Sequence, residues 1–150
     1  MIKIIVLCGA DGTGKSTVKK MLEKRTNYEY IIFDRMCDSF VFKKLFNREL
    51  PTDIDILNFE RQLDLIADVS LIYLTASTDI LLKRIADRGE KVDANYRDFL
   101  DKSKKLFEED YLEKTPLDNL TIDTTNMSLD EVVSEIYEFI EIKSEGGYQK

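Results

Sequence analysis

The sequence predicts an α/β fold, in which a short parallel sheet of about four strands is covered by helices on both faces. Short apolar runs alternate along the chain with segments whose apolar residues recur every three or four positions. The runs are almost continuously apolar, which is typical of strands that are buried on both faces of a parallel sheet. Such a sheet brings the carboxyl ends of its strands to one edge, where a site is expected.

The predicted strands cover residues 2–8, 30–33, 69–74 and 120–123. The first is rich in β-branched residues and stops at Gly9, and the second stops at Asp34. Both of these residues interrupt an apolar run and place a polar or flexible position at the edge where the strands end.

The predicted helices each carry an apolar stripe on one face. Thr78 caps the start of the fourth helix, Gly89 marks its end, and Ser128 with Glu131 forms a capping box for the last helix. The helices and their inward residues are 15–25 with Val18, Met21 and Leu22; 39–46 with Phe42, Leu45 and Phe46; 53–66 with Ile56, Phe59, Leu63 and Ile66; 78–88 with Leu81, Leu82 and Ile85; 94–112 with Tyr96, Phe99, Leu100, Ser103, Leu106, Phe107 and Tyr111; and 129–140 with Leu129, Val132, Val133, Ile136, Tyr137 and Ile140.

The composition of the 150 residues fits one globular domain, expected over residues 1–142, with a frayed tail at 143–150. The chain has no histidine, which excludes a Ser-His-Asp triad and a histidine-based zinc site. Its net charge of −7 argues against bulk affinity for nucleic acid. Two cysteines in no metal-binding pattern favour a reducing compartment, and no apolar run is long enough to span a bilayer. We expect a cytoplasmic protein that does not bind membranes.

The segment from Gly9 to Ser16 fits the phosphate-binding pattern G-x-x-x-x-G-K-[ST], between a predicted strand and a predicted helix. The glycines let backbone N–H groups point at an anion, and the following helix adds the positive end of its dipole. Lys15 is expected to reach the β- and γ-phosphates of ATP, and the Ser16 hydroxyl to hold Mg²⁺. The alternative is a glycine-rich turn without a ligand. The residues predicted to bind the phosphates of ATP are Gly9, Asp11, Gly12, Thr13, Gly14, Lys15, Ser16 and Thr17.

Asp34 and Arg35 follow the second strand and are expected at the same sheet edge as the phosphate loop. Asp34 is a candidate for holding Mg²⁺ or accepting a proton, and Arg35 for binding an acceptor phosphate. A surface ion pair at a strand end is the alternative interpretation.

Four cations follow the third strand, at Lys83, Arg84, Arg88 and Lys91. Arg84 and Arg88 are four residues apart and share a helix face. We predict that this face closes over the transferring phosphoryl group as a lid, with both arginines as catalytic residues. A solvated basic face is the alternative.

These blocks resemble the thymidylate kinase and deoxynucleoside kinase group of P-loop kinases. The first is Gly9 to Thr17, the second is Asp34-Arg35-Met36-Cys37-Asp38-Ser39, the third is the strand with Arg84 and Arg88, and the last is Asp123-Thr124-Thr125-Asn126. The chain is a minimal version, because 18 residues separate Lys15 from Asp34 and the group's additional strand and Glu-Pro motif are missing.

The resemblance implies a role for several residues of these blocks. Asp11 would contact the acceptor's sugar hydroxyl, and Arg35 and Ser39 would bind the acceptor. Asp34 would be catalytic or linked to Mg²⁺, and Thr125 and Asn126 would lie beside the adenine of ATP. The resemblance also implies a three-layer P-loop fold, the strand order 2-1-3-4 and a homodimer.

The predicted function is transfer of the γ-phosphoryl group of ATP to a nucleotide, with a deoxynucleoside monophosphate preferred and Mg²⁺ as cofactor. Lys15 and Asp34, with Arg84 and Arg88, are the predicted catalytic residues. The alternatives are a kinase for a deoxynucleoside, another small alcohol or a polynucleotide 5′-hydroxyl. A catalytically degenerate ATP-binding partner protein is the alternative of another class. The absence of an Asn-Lys-x-Asp motif argues against a GTPase.

Overall fold

The computed structural model describes residues 1–10, 12–36 and 38–145, and it contains a four-stranded parallel sheet in the order β2-β1-β3-β4. The fold class and the strand order are therefore as predicted. The elements in chain order are β1 (Ile2–Cys8), α1 (Lys15–Arg25), β2 (Ile31–Phe33), α2 (Asp38–Leu45), α3 (Asp53–Ile66), β3 (Ala67–Thr75), α4 (Thr78–Asp87), α5 (Ala94–Leu106), a π-helical turn (Phe107–Tyr111), α6 (Leu112–Lys114), β4 (Asp118–Asp123) and α7 (Leu129–Ser144).

The register of the sheet brings the carboxyl ends of all four strands to one edge. β1 lies in the centre, pairing Ile4 with Ile31 of β2 and Ile2 with Ala67 of β3. β3 in turn pairs with β4, and their last partners are Thr75 and Asp123. The loops that follow Cys8, Phe33, Thr75 and Asp123 therefore meet at one edge, which we call the carboxyl edge.

Helices cover both faces of the sheet because alternate strand residues point to opposite faces. One apolar layer contains Ile4, Val6, Val69, Leu71 and Tyr73 under α2, α3 and the π-helical turn. The opposite layer contains Ile5, Leu7, Ile72, Leu74 and Ile122 under α1 and α7.

The inward face of α3 differs from the predicted one. Phe59 and Ile66 are 55% and 70% exposed, whereas Glu60 is 1% exposed. The Glu60 carboxylate accepts hydrogen bonds from the hydroxyls of Tyr111 and Thr115, which satisfy a buried polar group. Burial raises the pKa of Glu60 above its usual range, although the two hydrogen bonds act in the opposite direction.

The long helix predicted over residues 94–112 contains a π-helical turn at Phe107–Tyr111. The extra residue in this turn keeps both Phe107 and Tyr111 buried against the sheet. It also places Asp110 outward, where the carboxylate pairs with Lys44 of α2 and lies 2.6 Å from the ammonium of Lys114. Through Asp110, the turn thus links α2 to α6 within the helical layer on this face of the sheet.

Two further boundaries differ from prediction. Ser77, not Thr78, caps α4, because the Ser77 hydroxyl accepts a hydrogen bond from the backbone N–H of Ile80. α7 continues to Ser144, beyond the boundary at 143, because the Lys143 ammonium is 7% exposed and is held by Asp68, Asp118 and the carbonyl of Val69. Residues 146–150 of the expected tail lie outside the described part of the chain.

No helix in the described part of the chain combines the length and the apolar composition that crossing a membrane requires.

Candidate active site

The phosphate loop leaves β1 at Gly9 in a conformation that only glycine adopts readily. Gly9 has a φ of 136°, and a Cβ atom there would lie 2.1 Å from the carbonyl oxygen of Leu74. The loop is therefore pressed against the end of β3. Gly14 precedes α1 with a φ of 84°, so the chain turns sharply into the helix.

Hydrogen bonds within the loop hold its curved shape. The Thr13 hydroxyl donates to the carbonyl of Ala10 at 2.9 Å, and the Lys15 ammonium donates to the carbonyl of Gly9 at 2.6 Å. The first turn of α1 contains no acidic residue, and no side chain of the described residues caps it. The positive end of this helix dipole is thus available to an anion at the loop.

Two cavities border the phosphate loop, and Gly12, Thr13, Gly14 and Thr17 belong to the walls of both. The first, of about 520 Å³, is called the aromatic cavity. The second, of about 510 Å³, is called the α4–α7 cavity. The aromatic cavity is further lined by Gly9, Ala10, Lys15, Ser16, Asp34, Arg35, Asp38, Phe42, Phe46, Arg88, Phe99 and Ser103. The α4–α7 cavity is further lined by Arg84, Asp87, Arg88, Thr124, Met127, Ser128, Leu129 and Val132.

Asp34 and Arg35 lie at the same sheet edge as the phosphate loop and, with loop residues, line the aromatic cavity. Both follow β2, whose parallel pairing with β1 brings its end beside the loop. Ser39 is exposed and does not belong to the described lining of this cavity, whereas its neighbour Asp38 does. Asp11 lies outside the described residues.

Three phenylalanines form one wall of the aromatic cavity. Phe42 and Phe99 are nearly parallel, with ring centroids 6.3 Å apart and an interplanar angle of 6°. Phe46 lies 6.2 Å from Phe42 and 6.1 Å from Phe99. Phe46 is tilted by 32° against Phe42 and by 34° against Phe99, so the three rings form an apolar wall against which another aromatic ring can pack.

Arg84 joins the phosphate loop to the loop after β4. Its guanidinium donates to the carbonyl of Gly12 at 3.3 Å, to the Thr124 hydroxyl at 2.9 Å and to the Thr124 carbonyl at 2.8 Å. The Thr124 hydroxyl donates in turn to the carbonyl of Thr75 at the end of β3. Arg84 therefore holds neighbouring parts of the carboxyl edge together.

Arg88 lies one helical turn further along and borders both cavities. Its guanidinium is 55% exposed and lies 2.7 Å from Glu90, an ion pair that solvent weakens. Arg88 therefore has more freedom than Arg84 to turn toward a bound phosphate.

Thr125 and Asn126 lie beside the α4–α7 cavity but are not in its described lining, which Thr124, Met127 and Ser128 provide. Thr125 instead donates hydrogen bonds from its hydroxyl and its N–H to the Asp123 carboxylate. These bonds lower the pKa of Asp123. Thr125 thus shapes the loop that borders the cavity.

Sequence reasoning missed Phe99 and Ser103 as cavity residues, because it assigned both to the inward stripe of one helix. A stripe shows which residues face inward but not where the covered surface ends and a cavity begins. Asp38 was quoted with the Asp34 block but received no role, although it stands at the start of α2 beside the loop.

The residues of the aromatic cavity fit Mg²⁺ in part. The Ser16 hydroxyl and the Asp34 carboxylate are oxygen donors in the same cavity wall, and Mg²⁺ prefers oxygen ligands. Within residues 1–10, 12–36 and 38–145, no group of three or more acidic, cysteine or histidine side chains forms a metal site. The remaining ligands would be water and phosphate oxygens, which is the usual arrangement for Mg²⁺ with a bound nucleotide.

Comparison with known proteins identifies the fold. No family model matches the chain. A protein of Thermococcus gammatolerans named "Putative adenylate kinase" is 28% identical over 159 residues, which cover 92% of this chain and 85% of that protein. The YorR protein of Bacillus subtilis, solved in complex with phosphorylated GDP, matches with a TM-score of 0.78 and 21% identity over 99% of this chain and 100% of that chain. The chain has the fold of the P-loop nucleotide kinases.

Two solved kinases with this fold also match. Deoxyadenosine kinase from M. mycoides with bound dATP has a TM-score of 0.63 at 20% identity, covering 92% of this chain and 99% of that one. Thymidylate kinase from Candida albicans has a TM-score of 0.63 at 17% identity, covering 95% and 92%. The predicted resemblance is confirmed, and the comparisons support a nucleotide or nucleoside kinase.

Proposed function

We propose that this P-loop kinase transfers the γ-phosphoryl group of ATP to the phosphate of a nucleoside monophosphate, with a deoxynucleoside monophosphate as the preferred acceptor. The observation that carries the proposal is the position of the phosphate loop between two cavities, with four loop residues in the walls of both. A loop so placed can hold the transferring group while donor and acceptor approach from opposite sides.

The α4–α7 cavity suits the nucleoside of ATP. Met127, Leu129 and Val132 give it an apolar side, and Thr124 and Ser128 add polar groups. Apolar walls with a few placed polar groups are typical of sites that bind a nucleobase. Triphosphate oxygens extending from this cavity reach the backbone N–H groups of the loop and Lys15.

The aromatic cavity suits the acceptor. Its phenylalanine wall offers a stacking surface for a planar base, and Arg35 at its rim offers a guanidinium for a phosphate. This combination of an aromatic wall and a cation favours a nucleotide over a small alcohol. The relatives include both acceptor classes, because YorR was solved with phosphorylated GDP and one neighbour is a thymidylate kinase, whereas another is a deoxyadenosine kinase. The choice of a nucleotide therefore depends on the cavity lining.

The residues present can perform the reaction without histidine. Phosphoryl transfer depends on positioning and on stabilising negative charge, which Lys15, Arg35 and Arg88 would supply. Mg²⁺ held by Ser16 and Asp34 would neutralise phosphate charge when bound. An acceptor phosphate is already anionic, so Asp34 need not act as a strong base.

The test is an assay of ADP release with ATP, Mg²⁺ and each ribonucleoside and deoxyribonucleoside monophosphate in turn. We expect turnover with at least one deoxynucleoside monophosphate and a loss of roughly 10²-fold or more in kcat for Lys15→Met, because a charged contact to the transferring group is removed. Lys20→Met is the matched control, since Lys20 lies on the exposed face of α1.

The outcomes separate the competing interpretations. Turnover with nucleosides but with no monophosphate would refute the acceptor class and retain a kinase. ATP binding without turnover of any acceptor would refute the enzyme and favour a nucleotide-binding partner protein.

A further inference from the structure

The hydroxyl of Ser103 is buried and forms no hydrogen bond within the described part of the chain. Ser103 is 1% exposed, and its Oγ atom has no hydrogen-bond partner among the described residues. A serine within a helix normally donates to the carbonyl one turn earlier or points to water. Ser103 does neither, and an unpaired buried hydroxyl disfavours folding relative to alanine.

The position of Ser103 explains what could pair with this hydroxyl. Ser103 lies in the wall of the aromatic cavity, one helical turn after Phe99 and one turn before Phe107 on α5. Phe107 is buried against Tyr73, with ring centroids 5.3 Å apart, so it belongs to the core. Ser103 therefore lies between a phenylalanine of the cavity wall, Phe99, and a phenylalanine of the core, Phe107 of the π-helical turn.

One helical turn corresponds to a rise of about 6 Å, which is close to the width of a nucleobase ring. A ring that stacks on Phe99 would bring one edge near Ser103, whose hydroxyl, covered in this structure, would turn toward the cavity to meet it. Arg35 and Lys15 also line the cavity, and their cations suit phosphates rather than a base. Among the described lining residues that α2 and α5 contribute, Ser103 and the half-buried Asp38 are the polar ones.

We propose that Ser103 is a specificity-determining residue, whose hydroxyl forms a hydrogen bond with the polar edge of the acceptor's base. The inference rests on the proposed function and adds to it the group that reads the base. A serine hydroxyl both donates and accepts, so it pairs with an exocyclic amino group or with a carbonyl. It selects for a ring with a polar group at that edge.

The test compares Ser103→Ala with a matched control, Tyr73→Phe. Tyr73 also contains a buried hydroxyl, but it is outside the described lining of either cavity. The measurements are KM and kcat for the preferred monophosphate, calorimetric binding of the same monophosphate without ATP, and the midpoint of thermal unfolding of the unliganded protein.

We expect Ser103→Ala to raise KM about 3- to 10-fold with kcat changed less than about twofold, which corresponds to one ordinary hydrogen bond. The unfolding midpoint of the unliganded variant should equal or exceed that of the wild type, because an unpaired polar group is removed. A serine with a structural role would give the reverse, with a lower midpoint and an unchanged KM. Tyr73→Phe should leave KM unchanged.

The outcomes distinguish this inference from the proposed function. Turnover by the wild type with the same KM in Ser103→Ala, or a lower unfolding midpoint in that variant, overturns the inference alone. Monophosphate binding that weakens in Ser103→Ala, without turnover by the wild type, supports the inference and overturns the proposed function. Absence of both binding and turnover overturns both.

Discussion

Replacing Arg84 with lysine should destabilise the protein before any nucleotide is added. The guanidinium makes three hydrogen bonds, of which the two to Thr124, at 2.9 and 2.8 Å, have good geometry and the one to Gly12, at 3.3 Å, is longer. An ammonium cannot reproduce this fork and can keep about one of the three. A charge-assisted bond contributes about 1.5–3 kcal/mol. Losing one short bond to Thr124 together with the longer, weaker bond to Gly12 should therefore cost about 2–3 kcal/mol in the free energy of unfolding.

The assay is thermal unfolding of the unliganded protein, with denaturant titration as a second measure. A loss of about 2–3 kcal/mol lowers the unfolding midpoint of a domain of this size by roughly 5–10 °C. Arg88→Lys is the matched control on the same helix, because its exposed pair with Glu90 should contribute less than about 0.5 kcal/mol. Thr124→Val removes the bond from Arg84 to the Thr124 hydroxyl, and also the bond from that hydroxyl to the Thr75 carbonyl, so the interaction with Arg84 is measured as the coupling with Arg84→Lys, which should be about 1 kcal/mol.

The result that would refute this reasoning is an Arg84→Lys variant with the unfolding midpoint of the wild type and a reduced kcat. Arg84 would then act only on the transferring phosphoryl group, as the lid hypothesis stated. A lowered midpoint together with a lower kcat would show that Arg84 positions the two loops that border the nucleotide.

Three other perturbations give equally definite expectations. Gly9→Ala should cost roughly 3 kcal/mol in the free energy of unfolding and abolish ATP binding, because its Cβ would meet the Leu74 carbonyl. Gly89→Ala is the control in the same binding titration, because Gly89 has a positive φ of 86° but open space around its Cβ position, so the variant has the backbone strain without the clash. Lys143→Met should lower the free energy of unfolding, measured by denaturant titration, by roughly 3 kcal/mol, because it removes the ammonium that pairs with the buried Asp118. A variant with a changed KM but an unchanged free energy of unfolding would contradict this. Glu60→Gln should gain stability relative to the wild type as pH rises from about 4 to 7. The pKa of Glu60 is raised by burial, so its stabilising neutral form is fully present below the unfolded value of about 4.3 and is lost as pH rises through the folded value. If the difference in the free energy of unfolding between Glu60→Gln and the wild type stays constant with pH, this prediction is refuted.

The sheet and the phosphate loop could be predicted because local patterns determine them. Buried parallel strands are almost continuously apolar, as in β1 apart from Lys3 and in β3 from Leu71 to Leu74, and the loop pattern has a fixed spacing. Asp34 and Arg35 could be placed near the loop because parallel pairing forces the ends of β1 and β2 together.

Features that depend on the packing of one helix against another could not be read from the sequence. Glu60 interrupts the apolar stripe of α3, and nothing near it in the chain reveals that the hydroxyls of Tyr111 and Thr115 will satisfy it. The same limit applies to Ser103, which has the spacing of the inward stripe of α5 although it lines a cavity. The lid hypothesis, which assigns Arg84 to a phosphate, stays a prediction. The contacts of its guanidinium with the Gly12 and Thr124 carbonyls could not be foreseen, because charge spacing shows which cations share a face but not which carbonyls they meet.

Strands β1, β3 and β4 of the sheet have polar groups at both ends, and the groups at the two ends have different roles. At the amino end, Lys143 joins Asp68, the second residue of β3, to Asp118 at the start of β4, about one strand length from the two cavities. At the carboxyl end, flexible glycines and buried hydroxyls face the proposed substrates. Random variants selected for thermal stability with turnover unchanged should therefore have their altered residues near the amino end, whereas changes at the carboxyl end, where Gly9 and Arg84 contribute to stability and border the cavities, should alter both properties. Thermal stability could then be raised from the amino end of the sheet without disturbing the proposed acceptor site.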